Sequence, residues 1–148
     1  MCYRRTYRSV RMAYNYRLIS TVNSGEINKF RGIGEEWWNT ESLLGTGPLH
    51  SMNPLRIDFI RNSIANRLGT SNTRDHMKGL RILDVGCGGG LASESLARLG
   101  AIVTAIDPSS ENILVARNHS KSDPLTENIN YRQSSIGLLI ILFDCLLV

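Results

Sequence analysis

The sequence predicts an α/β fold built on an open parallel β-sheet and preceded by helical segments. Three observations predict it. A short run of strand-forming apolar residues, Arg81–Val85, ends in a cluster of glycines. A helix-forming stretch, a second apolar run and another helix-forming stretch then follow in that order. Strand, turn, helix, strand and helix in alternation are typical of parallel strands joined by right-handed crossovers.

The residues before the first strand are predicted to be helical. Residues 26–38 carry apolar side chains at helical spacing. The pair Asn53-Pro54 is typical of a helix start, with Asn53 as the N-cap and Pro54 in the first turn, where a missing N–H costs nothing. We expect this second helix to end at Gly69. Its apolar residues recur at a mostly helical spacing: Leu55, Ile57, Phe59, Ile60, Ile64 and Leu68.

Four elements are predicted after the first strand and its glycines. They are a helix over 91–99 that Gly100 ends, a strand over 101–106, a helix that Ser109 or Ser110 caps, and a strand over 128–132. Serine is common at an N-cap and glycine just past a helix end, which supports both boundaries. The capped helix is expected to run to about His119. Its inward-facing apolar residues are predicted to be Ile113, Leu114 and Ala116.

Length and charge favour one soluble domain without a nucleic-acid surface. The 148 residues suffice for one domain of ordinary size, and no apolar run approaches the roughly 20 residues of a membrane-spanning helix. The net charge is +4, but five of the 17 basic residues lie within residues 1–25, which contain no acidic residue. The other 12 basic residues nearly cancel the 13 acidic ones, so no dense cationic face for phosphates is expected.

Residues 1–25 have the composition of a mitochondrial transit peptide. They are rich in Arg, free of acids and interspersed with Ser, Thr and Tyr. A disordered basic arm is the alternative. The three cysteines, Cys2, Cys87 and Cys145, are odd in number and far apart, so neither a disulfide framework nor a zinc site is indicated.

The residues after the first strand predict a binding site for a nucleoside cofactor. Ligands of open parallel sheets bind beyond the carboxyl ends of the strands, and glycines there let the backbone pass close to a bound molecule. Asp107 follows Gly86 by 21 residues, where an acceptor for two ribose hydroxyls is expected. The dinucleotide pattern Gly-x-Gly-x-x-Gly fails, because its last glycine falls on Leu91 or Ser93. A glycine-rich turn without a ligand is the structural alternative.

The pattern Asp-x-Gly-x-Gly-x-Gly instead fits Asp84, Gly86, Gly88 and Gly90. It resembles the first motif of the S-adenosylmethionine-dependent methyltransferases of Rossmann-like fold. Further motifs narrow the resemblance to the ubiquinone-biosynthesis O-methyltransferases: Phe30, Trp37-Trp38, Pro48-Leu49-His50, Asn53-Pro54-Leu55-Arg56 and Val115-Ala-Arg-Asn-His119. The resemblance covers about residues 26–133, and the combination is more specific than any single motif.

The resemblance implies a fold, a cofactor and a reaction. The fold is an α/β, Rossmann-like S-adenosylmethionine-dependent methyltransferase fold, here an incomplete parallel sheet with N-terminal helices. The reaction is methyl transfer to a phenolic hydroxyl of a polyprenylated ubiquinone precursor. Its place is the matrix side of the mitochondrial inner membrane, with other ubiquinone-biosynthesis proteins as partners. A divalent cation such as Mg²⁺ is expected in full-length members, with ligands outside this chain.

Six residues fall on the family's cofactor-binding positions or in its glycine motif: Arg56, Asp84, Gly86, Gly88, Gly90 and Asp107. Arg56 can pair with the methionine carboxylate through a bidentate fork, and a surface arginine is the alternative. The two tryptophans, His50 and Cys87 are assigned packing or a loop hydrogen bond rather than chemistry. No residue is assigned as the catalytic base.

The family pattern ends at about Gln133. The apolar tail that follows is expected either to form one buried strand or to expose an aggregation-prone segment. A truncated, non-catalytic form is therefore the alternative to an active methyltransferase. The predicted segments are a transit peptide (1–25), an N-terminal helical segment (26–78), a cofactor-binding half-domain (79–133) and the tail (134–148).

Overall fold

A computed structural model describes residue 25 and residues 33–43, 46–69, 77–135 and 146–147. The predicted transit peptide lies outside the described residues, apart from residue 25. Of the helix predicted over 26–38, the part before residue 33 also lies outside them. The described part forms a 3-10 helix, Gly34–Trp38.

Four parallel strands form the sheet: β1 (Arg81–Val85), β2 (Ile102–Asp107), β3 (Asn130–Gln133) and β4 (Leu146–Leu147). Their order is β3-β2-β1-β4, and every neighbouring pair is parallel. The predicted parallel α/β architecture is confirmed. Val85 pairs with Ile106, so the loop after β1 and Asp107 at the end of β2 lie at the same edge of the sheet.

Two residues of the apolar tail join the sheet beside β1. Leu146 pairs with Ile82, and Leu147 pairs with Leu83. Of the two alternatives for the tail, these residues therefore adopt the strand. Their pairing occupies an edge of β1 whose backbone N–H and C=O groups would otherwise need another partner.

Two helices follow β1 and β2 as predicted, α2 (Leu91–Arg98) and α3 (Ser110–Ser120). The Ser109 hydroxyl accepts a hydrogen bond from the Asn112 N–H at 3.3 Å, which makes Ser109 the N-cap of α3. Gly100 has a φ of 88° just beyond α2, the left-handed conformation that ends many helices. Both predicted boundary signals are confirmed.

Helix α1 (Gly47–Leu68) begins six residues before the predicted start at Asn53. Pro48 lies in its first turn, so the sequence holds two proline signals and the upstream one marks the start. Pro54 lies inside the helix, where it lacks the N–H that would bond to the carbonyl four residues earlier. Asn53 lies inside α1 and is therefore not its N-cap. Its side-chain amide donates to Ser95 Oγ at 2.9 Å, which ties α1 to α2.

The main hydrophobic core lies between one face of the sheet and the three α-helices. It includes Ile82 of β1, Leu96 of α2 and Ala116 of α3. A smaller cluster contains Leu83 and Ile106. Because Ile82 and Leu83 are consecutive in a pleated strand, their clusters lie on opposite faces of the sheet. This two-sided burial is typical of parallel strands.

Helical spacing did not predict the burial of every apolar residue. In α3, Ile113 and Ala116 are buried as predicted, but Leu114 is 58% exposed. Leu114 lies about 100° around the helix axis from Ile113, which turns it away from the sheet. In α1, Leu55 and Phe59 are more than 70% exposed, so this helix carries an apolar strip outside the core.

Replacing Pro54 by Ala should stabilise the protein, because proline inside a helix is about 3 kcal/mol less favourable than alanine. Proline also restricts the unfolded chain by about 1 kcal/mol, so we expect a net gain of roughly 1–2 kcal/mol in urea unfolding. Pro48→Ala is the matched control and should bring no gain, since N–H groups of the first turn have no intrahelical partner. Equal effects of the two substitutions would contradict the helix start at Gly47.

Candidate functional site

The glycine loop, residues 86–90, is closed onto the end of β2 by its backbone. The N–H groups of Gly86 and Cys87 both donate to the carbonyl oxygen of Ile106, at 2.8 and 3.0 Å. The three motif glycines of this loop have φ values between 54° and 93°. Residues with a Cβ rarely adopt that conformation, so the path of the loop requires glycine.

One of the three motif glycines faces open space. A Cβ added to Gly86 would meet no atom within 4 Å, so a ligand can approach the backbone there. A Cβ on Gly88 would lie 2.4 Å from the Trp37 ring, and one on Gly90 would lie 2.5 Å from the Tyr131 hydroxyl. A side chain at Gly88 or Gly90 would therefore clash with the protein itself, and the place of these two glycines beside the cofactor stays a prediction.

Asp107 lies beside the glycine loop and is only 6% exposed. Its Oδ2 accepts a hydrogen bond from the Gly88 N–H at 2.9 Å. Its Oδ1 accepts from the Ser109 N–H at 2.8 Å and from the Asn112 side-chain amide at 3.3 Å. A carboxylate has about four acceptor positions, so Asp107 retains capacity for a ligand donor. Asn112 was not predicted, and its position five residues after Asp107 is the only signal the sequence offers.

Asp84 is a buried carboxylate of β1, and its charge is only partly compensated. Burial raises its pKa above the usual 3.8, whereas the hydrogen bond from Ser93 and the charge of Arg56 lower it. The Ser93 hydroxyl donates to Asp84 Oδ2 at 2.6 Å. Arg56 is exposed on α1 and donates to Asn53 Oδ1 at 2.9 Å. The guanidinium of Arg56 thus lies within electrostatic reach of Asp84.

The electrostatic environment of the glycine loop is negative. After burial, the charges of Asp84 and Asp107 are the main causes that raise the pKa of the Cys87 thiol. The Asp107 charge also raises the pKa of Asp84. A raised thiol pKa keeps Cys87 protonated and unreactive, in agreement with its assignment to packing. A ligand group beside this loop is favoured if it is cationic.

Two consecutive tryptophans cover the glycine loop. Trp37 Nε1 donates to Asn112 Oδ1 at 3.0 Å, and Trp38 Nε1 donates to the Gly89 carbonyl oxygen at 3.1 Å. His50 Nε2 lies 2.8 Å from the carbonyl oxygen of Trp37. The prediction that these tryptophans and His50 serve packing and loop hydrogen bonds is confirmed.

The fold and the loop place the chain in the class of Rossmann-like methyltransferases. A family model described as "Methyltransferase domain" matches residues 82–142. Magnesium protoporphyrin IX methyltransferase from Synechocystis PCC 6803, solved with bound SAM, superposes with a TM-score of 0.52 at 18% identity. The superposition covers 76% of this chain and 50% of that chain. At this identity the likeness shows the shared fold.

The chain is also similar to curated O-methyltransferases. The mitochondrial ubiquinone biosynthesis O-methyltransferase of Rattus norvegicus is 46% identical over 125 residues, which cover 82% of this chain and 35% of the relative. The ubiquinone biosynthesis O-methyltransferase of Azorhizobium caulinodans is 39% identical over 117 residues, which cover 78% of this chain and 45% of the relative. The chain therefore spans about a third to a half of the length of these relatives.

The raised pKa of Asp84 predicts how stability depends on pH. A carboxyl whose folded pKa exceeds its unfolded value contributes stability at low pH that is lost as the pH rises through the folded pKa. Asp84→Asn has no carboxyl group to ionise, so the variant avoids this loss of stability. Its side-chain oxygen can still accept the hydrogen bond from Ser93. The variant should therefore gain stability over the parent as the pH rises above about 3.8. Thermal unfolding at pH 4 and pH 7.5 measures the difference.

Asp123→Asn is the control with the opposite sign. The Leu125 N–H and Arg98 hold the pKa of the partly exposed Asp123 below its usual value, so its contribution to stability is present at neutral pH and lost on acidification. This variant should be less stable than the parent at pH 7.5 and close to it near pH 3. A difference between Asp84→Asn and the parent that does not change with pH would refute the assigned burial of the Asp84 charge.

Proposed function

We propose that this chain binds S-adenosylmethionine and forms the cofactor-binding part of an O-methyltransferase. The acceptor is a phenolic hydroxyl of a polyprenylated ubiquinone precursor. The observation that carries the proposal is the open backbone at Gly86, near two buried carboxylates, Asp84 of β1 and Asp107 at the end of β2. S-adenosylmethionine carries a cationic sulfonium and an ammonium group, which the charges of these carboxylates attract.

The names of the similar proteins support both parts of the proposal. The relatives from rat and Azorhizobium are named for O-methyl transfer in ubiquinone biosynthesis, which supports the substrate class. The structural neighbour with bound SAM supports the cofactor. The whole reaction is a proposal, since the chain spans only part of the length of its relatives.

Each residue of the site has a role that fits its position. We assign the ribose hydroxyls to Asp107 at the end of β2. Its carboxylate accepts three hydrogen bonds within the protein and keeps about one of roughly four acceptor positions, so the second hydroxyl would replace one of these donors. The open backbone at Gly86 borders the cofactor directly. Arg56 binds the methionine carboxylate through two N–H groups. Asp84 would supply negative charge near the loop, which favours the positive groups of the cofactor.

The chain's contribution to the reaction is to hold the cofactor in one orientation. The cofactor, when bound, supplies an electrophilic methyl group on sulfur. A fixed cofactor lets an acceptor oxygen approach in line, which lowers the entropic part of the barrier. The phenol proton must also be removed, by a base or with the help of a cation. Among the residues that the structure describes, no group of three His, Cys, Asp or Glu is placed to hold a metal ion. We assign the base and any divalent cation to the protein outside these residues.

We further propose that the protein acts on the matrix side of the mitochondrial inner membrane, beside other ubiquinone-biosynthesis proteins. The rat relative is named as mitochondrial, and the Arg-rich, acid-free composition of residues 1–25 supports import. A polyprenylated acceptor partitions into a bilayer, which supports a peripheral position. Within the described part of the chain, no helix has the length and apolarity to span a membrane.

The import proposal predicts that residues 1–30 carry a fluorescent reporter into mitochondria and are then shortened. Microscopy and the mass of the imported reporter measure both effects. A control in which the five arginines of the leader are replaced by glutamine should remain cytosolic, because a membrane potential acts on their charge. A cytosolic, full-length parent fusion would remove the support that the leader gives to this location.

The cofactor proposal predicts that the 148-residue chain binds S-adenosylmethionine in calorimetry and does not bind NAD. Asp107→Ala should weaken the binding about tenfold to a hundredfold, since a hydrogen bond to a charged group contributes roughly 1.5–3 kcal/mol. Because Asp107 also holds the glycine loop, the variant should lose some thermal stability. Circular dichroism must therefore show that it is folded at the temperature of the titration. Asp58→Ala, on the exposed side of α1, is the control and should bind as the parent does.

Two results would contradict these assignments. If Asp107→Ala and the parent bound S-adenosylmethionine with equal affinity, Asp107 would not bind the ribose. If the chain bound NAD in preference to S-adenosylmethionine, the assignment of the cofactor would be wrong. A methyl-transfer assay with a demethylated ubiquinol analogue then tests whether this chain alone suffices for the reaction. We expect cofactor binding without turnover, because the base is assigned outside these residues.

A further inference from the structure

We infer that Trp37 is a positioning residue of the cofactor site, which orients the Asp107 carboxylate through the side-chain amide of Asn112. The inference rests on the proposed function, because it takes Asp107 as the acceptor for the ribose hydroxyls. It adds a residue from the segment before α1 to a site otherwise assigned to α1, β1, β2 and the glycine loop.

A chain of buried hydrogen bonds joins Trp37 to Asp107. The indole Nε1–H donates to Asn112 Oδ1 at 3.0 Å, and Asn112 Nδ2 donates to Asp107 Oδ1 at 3.3 Å. An indole N–H can only donate and an ionised carboxylate can only accept. The two partners therefore require the same orientation of the Asn112 amide, with its oxygen toward Trp37 and its nitrogen toward Asp107.

The Trp37 ring also acts on the second oxygen of the same carboxylate. The ring packs against Gly88, whose N–H donates to Asp107 Oδ2 at 2.9 Å. A Cβ on the neighbouring Gly89 would lie 2.5 Å from Trp37 Cγ. Gly89 does not have a positive φ, and the motif leaves its position free, so the Trp37 contact is what requires glycine there. The Trp37 ring thus acts on Asp107 Oδ2 through Gly88, and the indole N–H acts on Oδ1 through Asn112.

Contacts of the next residue, Trp38, hold the backbone at Trp37 in place. Trp38 stacks on His119 with ring centroids 3.4 Å apart and planes 3° from parallel, and it donates to the carbonyl oxygen of Gly89. The ring of His119 is itself held by Glu94 Oε1, 2.7 Å from its Nδ1. Because His119 and Asn112 are seven residues apart in α3, they lie on one face of the helix. The two tryptophans thus lie along that face and over the glycine loop.

The test compares two ligands that differ only at the ribose. Trp37→Phe keeps a ring against the glycines and removes the indole N–H. It should weaken binding of S-adenosylhomocysteine about threefold to tenfold, the usual effect of one lost hydrogen bond. It should leave the affinity for the 2′,3′-dideoxy analogue unchanged, since that ligand offers Asp107 no hydroxyl. Asp58→Ala, on the exposed side of α1, is the control and should bind both ligands as the parent does.

Gly89→Ala provides a second variant that keeps the indole but displaces it. It should cause the same ribose-dependent loss and a red shift of the tryptophan fluorescence, with the fold monitored by circular dichroism. An equal loss for both ligands in Trp37→Phe, or no loss for either, would overturn the positioning role while leaving the cofactor proposal intact. Failure of the parent chain to bind either S-adenosylmethionine or S-adenosylhomocysteine would overturn both.

Discussion

The carboxylate of Asp107 is the group on which the rest of the site depends. It accepts hydrogen bonds from the glycine loop, through Gly88, and from the start of α3, through Ser109 and Asn112. Hydrogen bonds to a charged acceptor are stronger than those between neutral groups, so one side chain fixes the loop relative to the helix. This depends on the parallel pairing of β1 with β2, which brings both strand ends to one edge of the sheet.

Two buried carboxylates near one loop cost free energy unless positive charge or donors surround them. Asp107 has three donors. For Asp84, the Ser93 hydroxyl and the charge of Arg56 offset only part of the cost, and its pKa is raised. A cationic ligand at the loop supplies positive charge where it is lacking. Binding and the stability of this edge of the sheet are therefore linked, since a ligand that binds the folded state stabilises it.

The elements that the sequence predicted correctly have local signals. Strands β1 and β2 are mostly apolar runs bounded by turns, and Ser109 and Gly100 mark helix boundaries by their own chemistry. The predicted start of α1 was wrong because Pro48 and Pro54 both give the signal of a helix start, and the sequence does not show at which of the two the helix begins. The acidic residues and glycines of the site follow a known pattern. The hydrogen bond from Trp37 to Asn112 joins residues 75 positions apart, and no local pattern carries that information.

The glycines of the motif meet two different physical requirements. At Gly86 the missing side chain leaves open space beside the backbone, whereas at Gly88 and Gly90 it makes room for Trp37 and Tyr131. The pattern therefore includes one glycine beside open space and two glycines that admit side chains from other parts of the chain. Trp37 lies before α1, and Tyr131 lies in β3. The shape of the loop consequently depends on both of these segments, and the glycine pattern alone does not specify it.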